Sequence, residues 1–128
     1  MTTHVMVVDD DALISAIVQQ MLESAGYEVH TALSGQNCIE QLRSPFRGVI
    51  LMDYAMPGMN GSETIKAISE EGLDKNCVIF MLTGMDEPPT DLQSSSERVL
   101  DYIRKPPTRD DLCARIEEAM SFLPPESE

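Results

Sequence analysis

Three stretches of this chain are apolar without interruption and too short to be helices. They are Val5-Met6-Val7-Val8, Val49-Ile50-Leu51-Met52 and Cys77-Val78-Ile79-Phe80-Met81-Leu82. A strand with one wet face alternates, whereas a strand covered on both faces reads as an unbroken apolar run. These runs therefore predict central strands of a parallel sheet with helices packed on either side. Each run also stops abruptly at a polar group: Asp9-Asp10-Asp11, Asp53 and Thr83.

The intervening segments supply the helices. Leu13, Ile14, Ile17, Val18, Met21 and Leu22 recur at helical spacing and predict an inward stripe. Gly26 follows as a left-handed cap. Tyr27 to Ala32 alternates, as a more exposed strand does. Ser34 caps a helix to about Arg43 with Cys38, Ile39 and Leu42 inward, and Ser44-Pro45 breaks it. After Asp53, Pro57, Gly58 and Gly61 force a turn. A helix then runs from Ser62 to Glu71 with Ile65 and Ile68 inward, closed by Gly72. Residues 86–98 predict a short or mobile helix, with Pro88 and Pro89 in its first turn and a weak Ser94-Ser95-Ser96 run. Val99 to Ile103 is a last strand. Thr108 caps a final helix with Leu112, Ile116, Met120 and Leu123 inward. Strand and helix alternate five times, with right-handed crossovers. Residues 1–123 form one domain, and 124–128 read as a linker or C-terminal tail.

Charge and cysteine usage narrow the function classes. The chain of 128 residues carries 22 acidic and 9 basic residues, a net charge of −13, and no Lys or Arg precedes Arg43. Such a field repels phosphate backbones and anionic membranes, which argues against direct nucleic acid or membrane binding, and it attracts cations. Cys38, Cys77 and Cys113 lack metal-ligand spacing and read as buried thiols of a reducing compartment. His4 and His30 read as isolated and structural. No apolar run approaches the ~20 residues of a membrane span. The N-terminus lacks a basic region followed by an apolar block, so no signal peptide is expected. The expected location is the cytoplasm.

In a parallel sheet the carboxyl ends of the strands lie on one edge, and ligands collect there. That edge receives Asp9 and Asp10 from the first strand, Asp53 from the third, Thr83 from the fourth and Lys105 from the fifth. Apposed carboxylates repel unless a cation joins them. Oxygen donors of this kind suit Mg2+, commonly completed by phosphate oxygens. A metal, an ammonium and a hydroxyl clamp a phosphoryl group, and a carboxylate within the clamp can attack phosphorus. Taken singly, each residue has a duller reading: Asp9-Asp10-Asp11 as acids at a helix N-terminus, Asp53 and Thr83 as turn residues, Lys105 as a solvated charge. Their joint placement makes coincidence improbable.

At these residues the chain resembles the receiver domain of bacterial two-component response regulators, CheY-like in type. The parts that carry the resemblance are Val7-Val8-Asp9-Asp10-Asp11, Leu51-Met52-Asp53 with Met56-Pro57-Gly58-Met59-Asn60-Gly61, Leu82-Thr83-Gly84, and Asp101-Tyr102-Ile103-Arg104-Lys105-Pro106. It covers Val5 to about Leu123. The resemblance implies an α/β fold: a doubly wound, five-stranded parallel sheet in order 2-1-3-4-5, a flavodoxin-like (βα)5 three-layer sandwich with five helices.

The resemblance further implies Asp53 as phosphoacceptor, with Asp10 and Asp53 as direct Mg2+ ligands and Mn2+ as an alternative ion. Asp9 would act through water and Ala55 through its backbone carbonyl. Lys105 and Thr83 would bind the phosphoryl group, Thr83 and Tyr102 would form the switch, and the bond to Pro106 would be cis. Ala55 and Met85 would tune phosphoryl lifetime. The implied partners are a sensor histidine kinase or histidine phosphotransfer protein, and an output domain or protein reached through the 86–123 face. Asp101 and Arg115 resemble charges that pair across dimers of DNA-binding relatives. The fourth helix lacks the basic residue that usually accompanies them, which leaves at most a weak homodimer. Self-phosphorylation and autodephosphorylation would be the sole chemistry, so no enzyme acting on a separate substrate is expected.

Two other classes compete. A flavodoxin-like cofactor binder needs a phosphate-cradling loop after the first strand, where Asp9-Asp10-Asp11 is the opposite of an anion site. An aspartyl-phosphate hydrolase typically has a second acid two residues after the nucleophile, where this chain has Ala55. A degenerate, docking-only receiver would lack some of the polar groups present here.

Overall fold

The computed structural model describes residues 3–84 and 98–124. The strands are β1 (His4–Val8), β2 (Glu28–Ala32), β3 (Gly48–Asp53), β4 (Cys77–Thr83) and β5 (Val99–Arg104). Among the described residues the helices are α1 (Ala12–Glu23), α2 (Gly35–Leu42), α3 (Gly61–Glu70) and α4 (Arg109–Met120). The expected helix in 86–98 lies outside the described residues.

All strand pairs are parallel, in order β2-β1-β3-β4-β5. The predicted order and sheet type are thus observed. Every residue of β3 and β4 is buried, and β1 is buried from Val5 onward. The edge strands β2 and β5 are wetter.

Two apolar layers sandwich the sheet. On one side Met6, Ile50, Met52, Ile79 and Met81 meet Cys38, Ile39 and Leu42 of α2 and Ile65 and Ile68 of α3. On the other, Val5, Val7, Leu51, Phe80 and Ile103 meet Val18 and Leu22 of α1 and Leu112 and Ile116 of α4. Alternate residues along each central strand feed opposite layers, which is why those strands carry polar side chains only at their ends.

Local chemistry fixes the helix starts. Asp11 caps α1 by accepting from the Leu13 and Ile14 N–H groups. Ser34 and Thr108 cap α2 and α4 as expected. Asn60 and Glu63 form a reciprocal capping box at α3, worth roughly 1 kcal/mol. Gly58 adopts φ +79° in the β3–α3 loop, a conformation an L side chain resists.

The helix stripes need correction. Leu13 is 70% exposed, Ile17 43% and Met120 43%. Each lies on the border of its helix's apolar arc, and the sheet accepts a narrower arc than the sequence offers. Arg43 is the C-cap of α2 rather than its last residue, and α3 starts one residue earlier than expected, at Gly61. His4 and His30 are not isolated: their rings stack at 5.3 Å.

Candidate functional site: an acidic cluster at the carboxyl edge

The carboxyl ends of β1 and β3 deliver Asp9, Asp10 and Asp53 to one place. Each can offer a carboxylate oxygen, and those atoms all lie within 4.8 Å of one another. Asp9 and Asp53 are buried, at 1% and 4% exposure, while Asp10 is exposed. From β5, the Lys105 ammonium reaches in. It donates to Asp53 Oδ1 at 2.8 Å and to Asp9 Oδ2 at 3.2 Å.

Backbone bonds hold these side chains in register. The Asp9 N–H donates to the Ala32 carbonyl at 3.0 Å, and the Tyr54 N–H to the Leu82 carbonyl at 3.0 Å. The Lys105 N–H donates to the Thr83 carbonyl at 2.8 Å, tying the last residue of β4 to the residue after β5. The Asp9 carboxylate also accepts from the Asp11 N–H at 2.9 Å. The three consecutive acids therefore divide their roles. Asp11 caps α1, whereas Asp9 and Asp10 turn toward Asp53.

Gly61 is a part of the site that sequence reasoning treated only as a turn former. A Cβ there would lie 2.6 Å from the Asp53 carbonyl oxygen and 2.9 Å from Tyr54 Cα. The missing side chain lets the first turn of α3 seat on the end of β3, and the Gly61 N–H donates to the Tyr54 carbonyl at 2.8 Å. The available signal was a glycine at the loop–helix junction, where a helix start must approach a strand end.

The electrostatics are those of an under-neutralised cluster. Burial raises the Asp53 pKa above the ordinary carboxylate range; the hydrogen bond from Lys105 opposes this, and the charges of Asp9 and Asp10 reinforce it. Burial acts to lower the Lys105 pKa, but its bonds to Asp53 and Asp9 outweigh it and the net shift is upward. An isolated ion pair would lower the acid and raise the base. That the acid moves up as well follows first from its burial, with the neighbouring charges of Asp9 and Asp10 adding to it. The donor set is all oxygen, with negative charge in excess, so it fits a hard divalent cation such as Mg2+.

The other predicted residues among those described lie on β4, on β5 and in the segments that follow β3 and β5. Thr83 is buried at the end of β4. Ala55 is exposed in the loop after β3. Tyr102 is half-buried on β5 against the α2/α3-side core. The Lys105–Pro106 peptide is cis. Met85 lies outside the described residues. On the outer face of β5, Arg115 donates to Asp101 at 2.9 Å within the same chain.

The family model for the response regulator receiver domain matches residues 5–117. The chain belongs to the response regulator receiver family. Receivers are signalling domains of phosphorylation-dependent regulators, and the CheY-like fold is shared by solved relatives. A CheY-like receiver domain protein from Methanospirillum hungatei superimposes with a TM-score of 0.86 at 40% identity, covering 94% of this chain and 95% of that one. The chemotaxis protein CheY4 of Vibrio cholerae gives 0.85 at 28% identity, over 93% and 99%. The phosphate regulon transcriptional regulatory protein PhoB of Escherichia coli is 30% identical over 125 residues, 98% of this receiver but 55% of PhoB. This receiver thus spans about half the length of that regulator. Among the described residues no helix is long and apolar enough to cross a membrane.

Proposed function

We propose that this receiver accepts a phosphoryl group on Asp53 from the phosphohistidine of a sensor kinase or phosphotransfer protein. The observation that carries the reading is the Lys105 ammonium joined to Asp53 and Asp9 beside Asp10 at the carboxyl edge of the sheet. An Asp53 oxygen attacks phosphorus, the P–N bond breaks, and the imidazole departs with its electron pair. Asp10, Asp53 and the Ala55 carbonyl would hold Mg2+ directly, and Asp9 would hold it through water. When bound, the ion neutralises charge on the transferring phosphoryl oxygens. Lys105 moves from bridging two carboxylates to pairing with a phosphoryl oxygen, and the Thr83 hydroxyl donates to another.

Formation of the acyl phosphate consumes the Asp53–Lys105 bond and adds charge at the end of β3. That change biases Thr83, Tyr102 and the β5–α4 face toward an output-competent arrangement. Turnover is confined to Asp53 itself, with no separate substrate. The net charge of −13 supports an output made through a partner domain or protein rather than by this domain on nucleic acid. Free Cys38, Cys77 and Cys113 are in keeping with a cytoplasmic site of action.

The test is intact-mass analysis after treatment with acetyl phosphate and Mg2+. Wild type should gain one phosphoryl group and Asp53→Asn none. Equal phosphorylation of both would overturn the assignment.

A further inference from the structure

The amino edge of the same sheet carries a second polar constellation, unrelated to phosphoryl chemistry. His4 on β1 and His30 on β2 present Nδ1 and Nε2 to each other at 3.1 Å. Glu28 Oε2 lies 3.3 Å from His4 Nδ1. His4 is paired with Glu28 in the strand register, and Met6 with His30, so all three side chains leave the sheet on the same side. The side chains of His4 and Glu28 are 40% and 56% exposed, and His30 is half-buried. Phe46 packs edge-on against both rings, at 6.5 Å from His4 and 5.8 Å from His30.

We infer that His4 and His30, completed by Glu28, form a binding site for a divalent transition metal such as Zn2+. Metal–imidazole bonds are about 2.0–2.1 Å, so an ion shared by nitrogens 3.1 Å apart subtends an angle of roughly 95–100°. That value falls between octahedral and tetrahedral geometry, and water can fill the remaining positions. In the metal-free protein one of the two facing nitrogens carries the hydrogen-bonding proton. On binding, that proton moves to the outer nitrogen of the same ring, and both inner lone pairs face the ion. Glu28 is on the rim and reaches the ion by rotating its own side chain. Phe46 and the two strands hold the imidazoles in place beforehand.

The donor set separates this site from the aspartate cluster. Imidazole nitrogen favours Zn2+, Ni2+ and Cu2+, whereas the all-oxygen carboxylate cluster favours Mg2+. The two sites lie at opposite ends of β1, so each can be removed without touching the other. An ion at the amino edge would clamp edge strand β2 to central strand β1.

The experiment follows the imidazole nitrogens of the full chain by long-range 1H–15N NMR during Zn2+ titration with excess Mg2+ present. His4 Nδ1 and His30 Nε2 should shift together and saturate at one equivalent. Affinity measured by calorimetry should fall by about tenfold or more in His30→Gln and in His4→Gln. It should be unchanged in Asp10→Asn and in Asp53→Asn. Unaffected imidazole resonances in wild type would overturn the proposal and leave a simple His–His hydrogen bond. So would Zn2+ binding lost in Asp53→Asn but retained in His30→Gln. The wild-type resonances decide the matter even if a histidine variant folds poorly.

Discussion

The two ends of this sheet carry polar clusters built from the same strands on opposite physical terms. At the carboxyl end, Asp9 and Asp53 are buried together and share one ammonium. At the amino end, His4 and Glu28 are partly exposed, and the two imidazoles face one another at 3.1 Å. Excess like charge in a buried place is unfavourable and survives only where the surrounding backbone is fixed. The fully buried β3 and β4 supply that fixity beside Asp53. Half-exposed imidazoles need no such frame, so an edge strand is enough to hold them. The difference teaches where a receiver can store reactive charge: at the ends of its most deeply covered strands.

Both ends nevertheless depend on a glycine at a close approach, and breaking each gives the largest expected effects. A Cβ on Gly48 would run into the His4 carbonyl group of the neighbouring strand. A Cβ on Gly61 would meet the Asp53 carbonyl oxygen at 2.6 Å and Met81 Sδ at 2.8 Å. The sulfur can yield and the backbone cannot. Gly48→Ala should therefore cost about 3–4 kcal/mol and Gly61→Ala about 2–3 kcal/mol in urea unfolding. A loss under about 1 kcal/mol at Gly48 would mean that β1 and β3 are slack at the amino end.

The next effect separates the ends by their need for a cation. Removing Lys105 leaves Asp9 and Asp53 buried without their ammonium. Breaking a fully buried pair costs roughly 3–5 kcal/mol, but the Lys105 side chain is 24% exposed and solvent screens part of this. Lys105→Met should lower metal-free stability by about 1–2 kcal/mol. Added Mg2+ should then raise the melting temperature of the variant more than that of wild type. Identical Mg2+ responses would show that ion and ammonium do not answer the same charge.

A third prediction uses the raised Asp53 pKa, whose first cause is burial. A carboxyl whose folded pKa lies above its unfolded value contributes stability that is complete below the unfolded value. That contribution is lost as pH rises through the folded value. Asp53→Asn removes the loss, so without metal it should melt above wild type near neutral pH. The gap should close toward about pH 4. A gap that widens on acidification would reverse the sign assigned to Asp53. The amino end offers a control, because His30→Gln should leave this pH trend in place.

These ends were unequally legible in the sequence. The carboxyl cluster announced itself because each buried run ends in its polar group, and a parallel sheet brings such ends together whatever the spacing. Lys105 is 96 residues from Asp9 and 52 from Asp53, yet strand direction alone predicted their convergence. The His4–His30 contact needed more. It depends on β1 lying beside β2 in the register that opposes His4 to Glu28, and register within a parallel pair is not written in either strand alone. Leu13 and Ile17 misled for another reason. Periodicity reports which side of a helix is apolar, but the width of the arc that the sheet covers is set by packing. Gly61 was read for its turn and not for its proximity to β3, because a missing side chain has no periodicity to betray it.

The smallest expected effect sharpens the comparison most cleanly. Glu28 makes its contact with His4 at 3.3 Å while its side chain is 56% exposed. A polar contact in that setting gains little, since water and salt screen it and ordering two side chains opposes it. Glu28→Gln keeps the shape and removes the charge. In chelator-treated protein it should change stability by no more than about 0.5 kcal/mol, and added salt should shrink even that. The same chemical edit is thus nearly silent at the amino end, whereas loss of the single Lys105 charge is felt at the carboxyl end. A cost above about 1 kcal/mol would mean that Glu28 is wired into the fold as tightly as Asp53. The amino edge would then be a second over-determined charge site, and depth of burial would not be what separates the two ends.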